Sequence, residues 1–274
     1  MITAACAVLV PQTRTSRTTA RGRAAAVGDT ERVRAILLEL APPGTRPQDL
    51  PQRLVDACDQ ALTVSGVGLA LMTSEAVPAG LVAASDEVAR TLEDLQFTLG
   101  EGPCLDASRT GRPVLVPDLA SADRLVGGRA RWPGFAAAAI GAGAAAVFAL
   151  PLRIGLISIG VLDLYRDRVG PLDRAELAEA LAYATAASRM LLTLRTPPED
   201  TGGEPAWHVP LAHDRAVVHQ ATGVISVTAQ VDLADALVLL RARAWKDDRP
   251  VDEVAADVVA GRLRFGPDTA WSPG

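Results

Sequence analysis

The run Gly100-Glu101-Gly102-Pro103-Cys104, with Phe97 just ahead of it, holds the residue types in this chain best suited to chemistry. Two glycines around an acid expose backbone N–H groups and can line a small pocket. Phe97, Gly100, Glu101, Gly102 and Cys104 are therefore the candidate ligand-pocket residues. A thiol is a nucleophile or redox group only where a base or cation holds it as thiolate. Arg109 and Arg112 follow Cys104, but no histidine lies in 1–207. Cys104 reads more readily as a buried structural thiol than as a reactive one. The loop lacks the lysine of a phosphate loop and the spacing of a dinucleotide fingerprint. His208, His213 and His219 stand five and six residues apart, so they share no helix face and predict no metal site. No Ser-His-Asp set can be argued from sequence, because such a triad is recognised by geometry. The chain is expected not to be an enzyme. No cofactor is assigned, and the missing histidine argues against a histidine-ligated haem before residue 208.

A second set is basic. Arg243 and Lys246 share a helix face at i, i+3, and Arg249 follows. Such a patch can meet phosphates. Residues 214–264 carry seven basic against eight acidic side chains, so contact with a nucleic acid requires segregated charge. The alternative is a solvated face with Arg243 paired to Asp247 at i, i+4.

These residues sit in a chain of 274, a length that suggests two domains. Hydrophobic residues at 49% and charged residues at 22% give a globular composition. The net charge of -5 provides no global basic field. Aromatics at 4% make a stacking platform for single strands a poor fit. Three cysteines without a CxxC pair exclude a disulfide scaffold and a Cys-rich zinc site and fit a reducing compartment, so no metal site and a cytoplasmic location are expected. Residues 1–29 form a basic leader with no acid before Asp29. It reads as disordered, as a start assigned too early, or as a transit peptide. Residues 132–152 carry no charge, which is long enough for a membrane span. Alanine dominates, Gly141 and Gly143 interrupt, and Pro151 closes the run. A helix near 133–141 and a strand near 144–152 are predicted instead, and no membrane partner.

Apolar spacing predicts helices over 31–40 and 50–62, with Cys58 on the buried stripe of the second. A strand is expected at 67–72, a turn at 78–80 and a strand at 81–84. Asp86 can cap a helix running to about Phe97. A short strand at 114–116 and a hairpin of 144–153 with 157–166 around Gly155 follow. Pro171-Leu172-Asp173 opens a helix to about Arg195. Its Leu177, Ala180, Ala184, Ala187, Leu191 and Leu194 repeat as a heptad seam, for packing on its own sheet or for a homodimer.

This order of elements resembles a GAF domain over residues 31–195. Phe97–Ala107 is similar to the Gly-Glu-Gly-Pro-Cys segment of actinobacterial GAF sensors. Residues 114–119, 150–152 and 160–165 match later GAF strands. The resemblance implies an α+β fold, an antiparallel sheet flanked by helices, with a pocket for an unknown small-molecule or protein signal.

Residues 196–212 hold four prolines and two adjacent glycines, a linker. Three helices are then predicted over 213–264, ahead of a tail at 265–274. The first has Val217, Ala221, Val224 and Ile225 inward, and Asp214 as its cap. The second follows Asp232, with Leu233, Ala236, Leu237, Leu240 and Ala244 inward. The third has Pro250 in its first turn. Gly223 falls mid-helix, where it costs about 1 kcal/mol relative to alanine, a cost suggesting close approach of another helix or a partner. About 55 residues is small for an independent core, so help from the first domain or a partner is expected.

Residues 218–225, Ala236, Leu240, Ala244 and 249–255 resemble the ANTAR domain, a three-helix module that binds RNA hairpins and prevents transcription termination. The chain departs from that family at Thr222, where lysine is usual, and at Ile225-Ser226, where Leu-Met is usual. The resemblance implies RNA stem-loops as partner, with Thr222, Gly223, Arg243, Lys246 and Arg249 as candidate RNA-binding residues. The expected function is signal-responsive antitermination. The alternative is a GAF signalling or protein-interaction module that has lost RNA binding.

Overall fold

A computed structural model of the chain describes residues 30–73, 78–122, 131–155, 157–195, 215–265 and 271–273. The predicted leader, the linker, His208, His213 and Asp214 lie outside the described residues.

Five strands form one antiparallel sheet: β1 (Gly66–Met72), β2 (Pro78–Ala84), β3 (Val114–Val116), β4 (Ala146–Ile154) and β5 (Ile157–Arg166). Their order is β2-β1-β5-β4-β3. β1 and β5 are apolar nearly throughout because both faces of the sheet are covered. One face packs on α1 (30–40), α2 (Leu50–Ala61) and α7 (Arg174–Arg195), through Ile36, Leu54, Cys58, Leu162 and Tyr183. The other packs on α3 (Glu87–Leu99), α4 (Pro103–Thr110), α5 (Leu119–Ala122) and α6 (Phe135–Gly141), through Leu92, Leu105, Phe135 and Val161. The uncharged run 132–152 is thus a helix and a core strand, as its glycines and proline indicate. No single helix among the described residues is long and apolar enough to cross a membrane.

The heptad seam of α7 faces inward. Ala180, Ala184, Ala187 and Leu191 belong to the core against the sheet, so this stripe is not available to a second copy. Small alanines let the helix lie close on β4. Asp173 caps α7 by accepting from Ala175 N and Glu176 N, while Glu176 accepts from Asp173 N, a reciprocal capping box.

Pro78–Gly80 belongs to β2 rather than to a turn: Met72 pairs with Pro78 and Leu71 with Gly80. β2 is an edge strand, and a proline at the first residue of such a strand interrupts no ladder. Residues 103–107, read from sequence as part of a loop, belong to α4, with Pro103 at its first position.

The C-terminal unit is α8 (Ala216–Ala229), α9 (Leu233–Asp247) and α10 (Val251–Val259), closed by a hairpin of β6 (Leu263–Phe265) and β7 (Trp271–Pro273). The hairpin replaces part of the expected tail; Phe265 and Trp271 meet edge-to-face at 5.0 Å. The buried stripe of α8 is Val218, Ala221, Thr222 and Ile225, rotated from the predicted one, and Val224 is exposed. Thr222 tolerates burial because its hydroxyl donates to Val218 O at 2.7 Å. Leu233, expected inward, is exposed at the start of α9. Gly223 has open space where a Cβ would stand, so no helix approaches it within the described residues.

Candidate functional site

α3 organises the site. Asp86 caps it: Oδ1 accepts from Ala89 N at 2.7 Å, and Oδ2 accepts from the Tyr165 hydroxyl at 2.6 Å. The buried face of α3 is Ala89, Leu92, Glu93, Gln96 and Phe97. Two polar residues therefore lie on an apolar face. Opposite them, Asp163 on β5 is flanked in register by Gly68 of β1 and Ala149 of β4. Those small neighbours leave room. A Cβ at Gly68 would stand 3.2 Å from Glu93 Oε1.

Cys104, in the first turn of α4, completes the group. Its N–H donates to Gln96 Oε1 at 2.7 Å. The ligating atoms of Glu93, Cys104 and Asp163 all lie within 4.8 Å of one another, and all three residues are buried. Glu93 Oε1, both Asp163 oxygens and Gln96 Nε2 make no hydrogen bond of normal geometry. Burial holds the Glu93 carboxyl well above the usual carboxylate range, and the neighbouring Asp163 adds to the shift. Burial also raises Asp163, while looser hydrogen bonding from Glu93, Cys104 and Gln96 pulls it partly back. The Cys104 thiol is pushed well up by burial and then by Asp163 and Glu93. Its surroundings disfavour the thiolate, and its burial agrees with the structural reading.

The loop that follows sends its residues in three directions. Gly100 ends α3 at φ +68°, and a Cβ there would stand 2.7 Å from Arg241 Nη1. Gly102, at φ +135°, lies so close to Gln96 that a Cβ would meet Oε1 at 2.6 Å. Both positions require glycine. Glu101 Oε1 accepts from Gly134 N at 2.7 Å and Phe135 N at 2.9 Å, closing the start of α6. Phe97 lies in the core of the C-terminal helices. The five predicted pocket residues thus have different partners: Gly102 and Cys104 join the Gln96 group, Glu101 holds α6, and Phe97 and Gly100 face α8–α10.

That last contact is a built interface. Arg215, just before α8, donates from Nη2 to Asp94 Oδ1 at 2.6 Å, and its Cζ lies 4.1 Å from the Phe97 ring centroid. Arg241 of α9 lies 5.2 Å from the same ring. Arg241 Nε and Nη2 are buried without partners, and burial, then the charges of Arg215 and Arg109, lower its guanidinium to about 10. His219 Nε2 stands 2.9 Å from Ala79 O on β2; a carbonyl only accepts, so this nitrogen carries the proton. Two cavities open along the seam. One of about 270 Å³ lies between Arg90, Phe97, Arg215 and Val251, and one of about 600 Å³ between Thr73, His219, Ser226 and Leu237.

The candidate RNA residues are dispersed. Thr222 is buried and Gly223 faces open space. Arg243 pairs with Asp247 and lies 5.5 Å from the Trp271 ring. Arg249 pairs with Asp257 at 2.8 Å and Glu253 at 3.5 Å. Lys246 is exposed beside Trp245, itself 79% exposed.

Sequence reasoning missed Glu93, Gln96, Asp163, Arg215 and Arg241. The signal for the first two was the helical period of α3, which sets them beside Leu92 and Phe97. For Asp163 it was a lone acid inside an apolar strand. Nothing local marks the two arginines.

No curated protein matches the chain. Among solved structures it is similar to the GAF domain of an Acinetobacter phosphoenolpyruvate-protein phosphotransferase, at 12% identity and TM-score 0.45, covering 61% of this chain and 94% of that one. It is also similar to the GAF domain of the Coxiella burnetii phosphoenolpyruvate-protein phosphotransferase, at 15% and 0.44, covering 62% and 96%. A third is the type II free methionine-R-sulfoxide reductase of Thermoplasma acidophilum, at 16% and 0.40, covering 54% and 93%. The family model of the GAF domain matches residues 44–191, which is more than half of the chain and holds β1–β5 with α2–α6. This protein belongs to the GAF domain family.

Proposed function

We propose that the protein is a non-catalytic, signal-responsive regulator in which the GAF unit controls an RNA-binding output carried by α8–α10. The observation that carries this reading is Phe97: a GAF residue, next to the buried Glu93–Gln96 face, forms part of the core of the C-terminal helices. In this reading a change at the GAF site reaches α8–α10 through α3. The RNA half rests on the resemblance of 218–225, 236–244 and 249–255 to the ANTAR module, and binding of paired stem-loops in transcription antitermination is the activity it suggests. Exposed Lys246 and Trp245 offer one charge and one stacking surface for such a target.

A second reading, a protein-interaction module, is favoured by one observation. Arg243 and Arg249 are neutralised by acids of their own unit, which leaves little basic charge for phosphates.

The test is binding of the full chain to an RNA with two short tandem hexaloop hairpins, across a salt titration, against a loop-scrambled control. Loop-dependent binding with a clear salt slope supports the RNA reading. Indifferent or absent binding overturns it and leaves the protein-interaction reading.

A further inference from the structure

The sheet face under α3 and α4 buries four polar or titratable side chains together, on an otherwise apolar face. Glu93, Gln96, Cys104 and Asp163 are each more than nine-tenths buried. Burying two carboxyls side by side is costly unless a counter-charge, a donor or a shared proton joins them. Here three carboxylate oxygens and the Gln96 amide nitrogen are left without normal hydrogen bonds. The backbone has made room for them: Gly68 stands where a side chain would press on Glu93, and Asp163 is flanked by Gly68 and Ala149.

We propose that Glu93, Cys104 and Asp163 form a binding site for one divalent transition-metal ion of the zinc type, buried between α3, α4 and β5. One sulfur and two carboxylate oxygens suit a borderline cation better than calcium or magnesium, which take oxygen alone. Around tetrahedral zinc, a sulfur and an oxygen ligand stand roughly 3.5 Å apart, by the usual bond lengths. The three ligating atoms, already within 4.8 Å of one another, reach that spacing by small side-chain adjustments. A void of about 10 Å³ lies beside Glu93, Gln96 and Asp163 and gives their side chains some freedom to adjust.

The Gln96 carbonyl, by accepting from Cys104 N, fixes the first turn of α4 and so the thiol's place. On binding, the Cys104 S–H bond breaks, a sulfur–metal bond forms and the proton leaves to solvent, as does the proton retained by the carboxyl pair. The metal keeps its oxidation state. Thiolate and two carboxylates against a dication leave one excess negative charge, and Arg215 is close enough to act on both Glu93 and Cys104. The proposal rests on the GAF fold alone and is independent of the RNA reading.

The experiment is a titration of the untagged, chelator-stripped full chain with Co²⁺ and with Zn²⁺. One equivalent of Co²⁺ is expected to give a thiolate-to-metal charge-transfer band. Zn²⁺ is expected to displace it, release protons and raise the melting temperature. C104A is expected to abolish the band. E93Q and D163N are expected to weaken binding by about tenfold or more. C6A is expected to retain the band, as is H219A. A stripped wild-type chain that gives no band and no Zn²⁺-dependent rise in melting temperature overturns the proposal. So does a band that survives C104A. Because these two outcomes need only wild type and one variant, a folding failure of E93Q or D163N does not shield the proposal.

Discussion

Arg215 stands over the ring of Phe97, 4.1 Å from guanidinium carbon to centroid, and the two belong to different units of the chain. The arginine opens α8 and the phenylalanine ends the buried face of α3. The ion pair from Arg215 to Asp94 fixes this stack from the side. The C-terminal helices therefore complete their core with a GAF residue, as their small size demands.

Removal of Phe97 should loosen that junction. F97A is expected to cost about 3 kcal/mol or more, the usual range for a buried phenylalanine. Amide exchange should accelerate in α8–α10 while β4 and β5 stay protected. Unchanged exchange in the helices would show that Phe97 does not hold the units together.

Arg241 should behave in the opposite way. Its charge is buried with two nitrogens unpartnered, so desolvation is not repaid. R241M keeps the length and apolar stem and removes the charge. It is expected to raise the melting temperature by a few degrees, a rise of about 1 kcal/mol in stability. A fall in melting temperature would mean that the guanidinium itself stabilises the interface.

Stability of the metal-free chain should fall as pH rises above the ordinary carboxylate range. Glu93 and Asp163 titrate higher in the folded chain than in the unfolded chain, where a carboxyl titrates near roughly 4. Between the two values the folded state holds more protons, so each step up in pH favours unfolding. Denaturant titrations with chelator present should show this slope in wild type and a flatter one in E93Q. Equal slopes would remove Glu93 from the account.

Cys104 should resist thiol reagents in the native chain. Its thiol is buried and pushed up, so little thiolate forms. Alkylation followed by peptide mass analysis should find Cys104 modified only after denaturant is added. Rapid native modification would point to local opening of α4.

Lys246 separates the two readings of the C-terminal unit. It is exposed, so K246E should leave the unfolding free energy within about 0.5 kcal/mol of wild type. If the unit binds RNA there, K246E should weaken binding and reduce the salt slope by about one. R243E and R249E should instead destabilise the unit by removing the pairs to Asp247 and Asp257.

Periodicity and punctuation alone were enough for α2, α3, α7 and the β4–β5 hairpin, because local spacing, caps and glycines act within a few residues. Asp86 and Asp173 announce their helices, and Gly155 turns the hairpin, in the linear order of the chain. The same local logic located the segment 97–104 but not the use of its residues. Glu101 answers to Gly134 and Phe135, Gly100 to Arg241 and Cys104 to Gln96, and those partners lie as much as 141 positions away. The direction of the α7 seam was also open in the spacing, since a heptad stripe suits a sheet or a second helix equally. Packing on β4 resolved it. The approach of Glu93, Cys104 and Asp163 arises only when α3 and α4 fold over β5, because each alone is an ordinary residue in its own element, and burial together is what changes their chemistry.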